Sequence, residues 1–291
     1  MRWHSPTAAR TTAPLVPRPL RSLVASALVV TASCAGASHS GTGQASPPGP
    51  MSTTRNAQRK VLVYTRNYLP DGKGYVHQNI AASVAAIQKI GAEKGIGVDV
   101  SEDPASFSDA NLQQYSALVF SNSNNEAFAT EAQKEAFKQY IQRGGGFVGI
   151  HSASGSERSN PYFKSVVGGK FLVHPRQQSF TVRVVDSSHA VTDGIPREFE
   201  WKDEFYFVAD RSASIHPVLV ADRTKLQFLD LMKVDVSMFP NLVPLAWWQT
   251  FDGGRQYYIA LGHNKEDYVN PLLVRLIENG IVWAMGPRSQ R

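Results

Sequence analysis

The chain has 291 residues, 42% apolar and 19% charged, a composition that fits a globular core and excludes wholesale disorder. Its net charge of +6 is an end effect. Residues 1–60 hold seven basic residues (Arg2, Arg10, Arg18, Arg21, Arg55, Arg59, Lys60) and no acid, which leaves 23 basic against 24 acidic residues in the remainder.

The N-terminal segment reads as an address. Residues 1–22 are acid-free and Arg-containing, and they precede an apolar run from Leu23 to Ala32. That run is too short to span a bilayer but suits the apolar region of a secretory signal. Residues 1–35 are therefore expected to be a signal peptide, with so long a basic stretch that a later start codon would also serve. Ala35-Gly36-Ala37 has the small-x-small pattern of ordinary cleavage, while Thr31-Ala32-Ser33-Cys34 resembles a lipobox with Thr31 as its departure. Cys34 is the only cysteine and the candidate lipidation site. The expected location is the periplasm or cell envelope, with membrane attachment only through a lipid on Cys34. Residues 36–58, rich in Gly, Ser, Pro and Thr, read as a flexible linker. Once Cys34 is removed or acylated, the domain expected over 59–286 has no thiol, which excludes disulfides and thiolate catalysis. No run of Lys/Arg with interleaved aromatics follows residue 60, so nucleic-acid binding is rejected as well.

Lys60–Thr65 is an apolar strand, followed by a loop and a helical stretch opened by His77, with Ile80, Val84, Ile87 and Ile90 at helical spacing. Val98–Val100 is a second strand, Asp109–Tyr115 a short helical turn, and Ala117–Phe120 a third strand. Thr130 and Gln133 form a capping box for a helix reaching Arg143. Gly146–Ile150 is a buried strand that stops at His151. Strands alternating with helices predict a parallel sheet with right-handed crossovers. The second half changes texture. Phe180–Val185, Val218–Val220, Leu245–Trp248 and Gln256–Leu261 read as strands, the last pair as a hairpin around Asp252-Gly-Gly254. Pro271 opens a final helix through Ala284.

Ligands of open α/β sheets bind outside the carboxyl ends of the strands, and candidate chemistry gathers in the loops that follow strands here. Tyr75 and His77 follow the first strand, Asn122 and Asn124 the third, His151 the fourth, and His263 the hairpin. His151 is followed by the small residues Ser152 to Gly155, which leave room for a ligand. His174 precedes Pro175, which keeps it extended. Glu204, beside Asp203, stands among the aromatics Trp201, Phe205 and Tyr206, and a carboxylate with an aromatic face suits a sugar. His189 reads as a structural turn residue.

Several of these segments resemble, in order, the ThuA-like family, named for a trehalose-utilisation protein. They are the His77 loop, Gly144–Ser152, Gly169–Pro175, His189–Pro196, Asp203–Tyr206 and Gly254–His263, and they cover nearly all of 60–286. The resemblance implies an α/β, class I glutamine amidotransferase-like fold: a flavodoxin-like, mostly parallel sheet with helices on both faces, here with extra hairpin elements in the C-terminal half. Glutamine amidotransferases carry a nucleophilic cysteine at the turn where this chain has His151, so no glutaminase activity is expected. The implied substrate is a disaccharide, a glycoside or its keto derivative. His151, Glu204, His174 and His263 are the candidate catalytic residues; Tyr75, His77, Asn122, Ser152 and Tyr206 are the candidate substrate-binding residues. A divalent metal such as zinc held by His77, His151, His174, Glu204 and His263 is compatible with the composition, but the spacing is not that of a compact metal motif. A non-catalytic sugar-binding lipoprotein and a metal-dependent hydrolase stand as the alternatives.

Overall fold

The computed structural model describes residues 59–72, 74–229 and 232–287; the expected signal peptide, the linker and Cys34 lie outside the described residues. Thirteen strands and five helices follow in order among the described residues. They are β1 (Lys60–Tyr64), β2 (Asn67–Tyr68), α1 (Ile80–Lys94), β3 (Gly97–Ser101), α2 (Asp109–Leu112), β4 (Ala117–Ser121), β5 (Asn124–Asn125), α3 (Glu131–Gln142) and β6 (Gly146–Ile150). Then come α4 (Pro161–Val167), β7 (Lys170–Val173), β8 (Gln178–Val184), β9 (Glu198–Asp203), β10 (Phe207–Ala209), β11 (His216–Asp222), β12 (Leu242–Phe251), β13 (Gly254–Ile259) and α5 (Pro271–Ala284).

Nine of the strands form one sheet in the order β3-β1-β4-β6-β13-β12-β11-β8-β9. The first five are mutually parallel. This is the doubly wound half that the alternating pattern predicts, and its strands are continuous apolar runs because both faces are covered. From β13 onward every pairing is antiparallel. The β12–β13 hairpin turns at Asp252 and Gly253, both at positive φ (50° and 92°), as a two-residue turn matched to strand twist requires.

One face of the parallel half packs on α3 and α4 through the rings of Phe120, Phe137, Phe147 and Phe163, with centroids 5.2–6.1 Å apart. The capping box of Thr130 and Gln133 starts α3 as expected. The other face carries α1 and α5, whose Ile87, Ile90, Leu273, Leu276, Ile277 and Ile281 are all buried. Burial of these apolar side chains at about 25 cal/mol per Å² is the main force holding the layers. His77 does not open α1. The helix begins at Ile80, and His77 sits buried in the loop before it.

Strand direction decides where the site forms. Counting alternations from β13 through β12, β11 and β8, β9 runs in the same direction as β13. The end of the edge strand β9 therefore lies on the same side of the sheet as the ends of β6 and β13. Register shifts in β11 between Pro217 and Val220 mark bulges, which bend a strand and increase its twist. The curl is large enough that the Gly262 amide, just past β13, donates to the Asp203 carboxylate at the end of β9 over 2.7 Å.

Candidate metal centre

His151 stands at the strand end in a strained turn. Its φ is +50°, in the left-handed region that non-glycine residues adopt uncommonly. The Tyr258 hydroxyl donates to the His151 carbonyl over 2.8 Å. The imidazole is completely buried, with Nδ1 2.7 Å from the Ala260 carbonyl. A carbonyl can only accept, so Nδ1 carries a hydrogen, and in the neutral ring Nε2 is the nitrogen left with a lone pair. Nε2 has no hydrogen-bond partner and lies 3.5 Å from Glu204 Oε2.

Glu204 follows β9 directly and is aimed by its neighbour. The fully buried Asp203 carboxylate accepts from the Trp201 indole (2.9 Å) and from the Glu204 (2.7 Å), Gly262 (2.7 Å) and His263 (3.3 Å) amides. It thereby fixes the Glu204 backbone relative to the loop that carries His263. His263 Nδ1 lies 3.1 Å from Glu204 Oε2, yet without hydrogen-bond alignment. His77 completes the group. Its ring meets those of His151 and His263 edge-on at 4.9 and 5.4 Å, and its buried Nδ1 has no partner.

One ligand atom from each of His77, His151, Glu204 and His263 lies within 4.8 Å of the others. Three imidazoles and one carboxylate form a set of donors that Zn²⁺ and related divalent ions take. Nitrogens without partners inside a protein cost free energy unless something accepts them, and here they converge on one point. The second nitrogen of His151 bonded to a backbone carbonyl is the usual outer support of a metal-ligating histidine. The residues present fit a divalent ion.

The electrostatics agree. Burial, reinforced by repulsion from His151 and His263, lowers the His77 pKa to about 3; it stays neutral, as a ligand must. Burial alone would raise the Glu204 carboxyl, but the adjacent His151 and His263 outweigh it and hold the group well below the usual range. His263 is raised by Glu204.

The other expected residues surround this centre. His174 is half-exposed, with Nε2 3.5 Å from Glu204 Oε1, the oxygen that faces away from His151 and His263, and Nδ1 2.8 Å from the Pro175 carbonyl. Tyr206 is 3% exposed and packs against His151 (4.2 Å) and His174 (5.7 Å), a wall more than an open platform. Tyr75, 59% exposed, meets the His77 ring edge-on at 4.7 Å. Ser152 is buried, its hydroxyl without a partner. Asn122 lies behind the site. It is fully buried at φ +53°, donating to the Tyr268 hydroxyl (2.8 Å) and accepting from Asn79 (3.0 Å). Its amide is spent on scaffold contacts. His189 stacks on Trp248 at 4.5 Å, away from the cluster, in keeping with a structural reading.

Sequence reasoning missed Asn79, whose side-chain amide donates to the carbonyls of Gly262 (2.6 Å) and His263 (2.9 Å) and so ties the His77 loop to the His263 loop. An asparagine just before a helix reads as a cap, but this one makes no capping bond. Two surface cavities of about 300 and 420 Å³ lie elsewhere and are lined by none of the cluster residues. The donor chemistry, not cavity size, marks the site.

The sequence matches the ThuA family, described as trehalose utilisation, over residues 60–284. The fold is similar to that of a putative ThuA-like protein from Bacteroides uniformis at 21% identity and a TM-score of 0.62, covering 81% of this chain and 95% of that one. A putative ThuA-like protein from Parabacteroides merdae is similar at 19% identity and a TM-score of 0.60, covering 78% and 90%. No curated protein matches the chain. The family match spans most of the sequence and every residue of the cluster: the chain belongs to the ThuA family.

Proposed function

We propose that the protein processes a carbohydrate, a disaccharide, glycoside or keto derivative, at a divalent-metal centre held by His77, His151, Glu204 and His263. The convergence of four donor atoms within 4.8 Å, with three buried imidazole nitrogens lacking partners, carries this reading. The ThuA family's link to trehalose utilisation supports the substrate class. A bound divalent ion would supply Lewis-acid polarisation of a sugar oxygen or a lowered pKa for a bound water.

The chain's own residues do the rest. Asp203 locks Glu204 to the loop that carries His263, and Asn79 locks the His77 loop to that same loop, so the donor set is preorganised. Tyr206 and Phe171, 4.5 Å apart, wall off water beside His151. His174 is the proton-transfer group: its Nδ1 is held by the Pro175 carbonyl, and its half-exposed Nε2 faces Glu204 and the mouth of the site. Tyr75, exposed at the rim against His77, offers a ring on which a sugar face can stack. The apolar run Leu23–Ala32 and Cys34 support a place in the cell envelope.

The test is turnover of glycosides and their keto derivatives by the purified protein, followed by product chromatography. Chelation should lower turnover at least about a hundredfold, matching the several kcal/mol a Lewis acid supplies, and added Zn²⁺ should restore it. Turnover indifferent to chelation would refute the metal-centred reading.

A further inference from the structure

A second feature follows β10, seven residues after Glu204, and shares no residue with the donor set. Arg211 is half-buried, and its Nη1 is shielded from solvent with no hydrogen-bond partner. Among the described residues no carboxylate lies within ion-pair distance of it. The neighbouring Asp210 does not serve, because it is engaged by Lys170 (3.0 Å) and Lys164 (3.4 Å). The guanidinium carbon lies 5.3 Å from the centre of the Phe239 ring.

This arginine lines a cavity of about 420 Å³, within the range of about 300–1,000 Å³ typical of small-molecule sites. The other walls are apolar at Val208, Ile215, Pro217, Phe239 and Pro244, with Met238 76% exposed at the rim, and polar at Asp210, whose carboxylate Lys164 and Lys170 hold. Ser212 adds a hydroxyl. Methionine adapts readily to varied ligands, and an arginine fork matches a carboxylate.

We infer that this cavity is a binding site for a small organic monocarboxylate with an apolar body, its carboxylate on Arg211 and its chain against Ile215, Met238 and Phe239. One guanidinium without an ion-pair partner among the described residues, beside apolar walls and an Asp210 already held by two lysines, suits a monoanion with a hydrocarbon tail better than a hydrated dianion. The site uses none of the residues of the metal centre, so it stands or falls independently of that reading.

The test is an NMR titration of the methyl-labelled protein with hexanoate, with hexanol and inorganic phosphate as comparison probes. Hexanoate should give saturable shifts at the Met238 and Ile215 methyls, and Arg211→Gln should weaken it by about tenfold or more, the size expected for a charge-assisted hydrogen bond. No saturable shift up to about 10 mM, the limit of weak binding, would overturn the site. So would an unchanged affinity in Arg211→Gln, or shifts from hexanol or phosphate equal to those from hexanoate. The wild-type comparison of the three probes decides the matter even if the variant folds poorly.

Discussion

His151 and His263 were legible in the sequence as candidates because each follows a strand, Glu204 because it is a carboxylate among aromatics and His174 because it stands before Pro175, and the structure brings all four together. His77 was legible both as a substrate contact and as a member of a candidate metal set with His151, His174, Glu204 and His263; the structure places it in the donor set, from which His174 is absent, because its loop folds back over the strand ends. Asn122 looked identical in sequence terms, a polar residue after a strand, yet it is buried behind the site. What separates the two is the partner each meets across the sheet, which spacing does not encode. Asp267 supplies a pH test at this scale. Its carboxylate accepts from the Asn264 amide, but burial, and then the nearby Asp203 charge, raise its pKa to about 6. An acid raised in the folded state binds its proton more tightly there than in the unfolded chain. The stability it contributes is present in acid and is lost as pH rises through about 6. Asp267→Asn, which keeps an oxygen for Asn264, should therefore raise the melting temperature at pH 8 relative to wild type and gain little at pH 5. Thermal unfolding at the two pH values checks this, and an equal effect at both would contradict it.

At the scale of the element, the strand β6 and its turn show why glycines recur before His151. A side-chain carbon at Gly146 would lie 2.3 Å from the Ala284 carbonyl oxygen in α5. That neighbour is backbone and cannot swing aside, so helix and strand approach closely only because Gly146 lacks a Cβ. Gly146→Ala is expected to destabilise the protein by about 2–3 kcal/mol through overpacking, read by urea denaturation; an unchanged midpoint would show that α5 can shift freely. The glycine-flanked run was readable as a buried strand ending at a site. The close helix contact was not, because it depends on which helix lands there. The β12–β13 hairpin was readable from Asp252-Gly-Gly254, though its strands run longer toward the turn than expected, leaving only Asp252 and Gly253, both at positive φ, between them.

For the whole molecule, the alternating strand–helix half was legible and the strand order of the second half was not. Local patterning marks strands but does not say that β9, four positions away in the sheet from β13, curls back until Asp203 accepts the Gly262 amide. That closure is what brings Glu204 to the histidines. A metal bound there ties the two halves together and should stabilise the fold by mass action. At about 100 times its dissociation constant an ion adds about 2.7 kcal/mol, which for a domain of this size is roughly 5–10 °C. Chelation should lower the melting temperature by that amount, and a melting curve indifferent to chelator would count against a resident ion.

The most direct measurement is elemental analysis by mass spectrometry of the purified protein after metal-replete expression, alongside His151→Ala and His263→Ala variants whose folding is checked by circular dichroism. The account predicts about one divalent transition metal per chain, the number a single three-histidine, one-carboxylate site holds, and its loss in both folded variants. A metal-free wild-type protein, or a metal content that neither substitution changes, would contradict it.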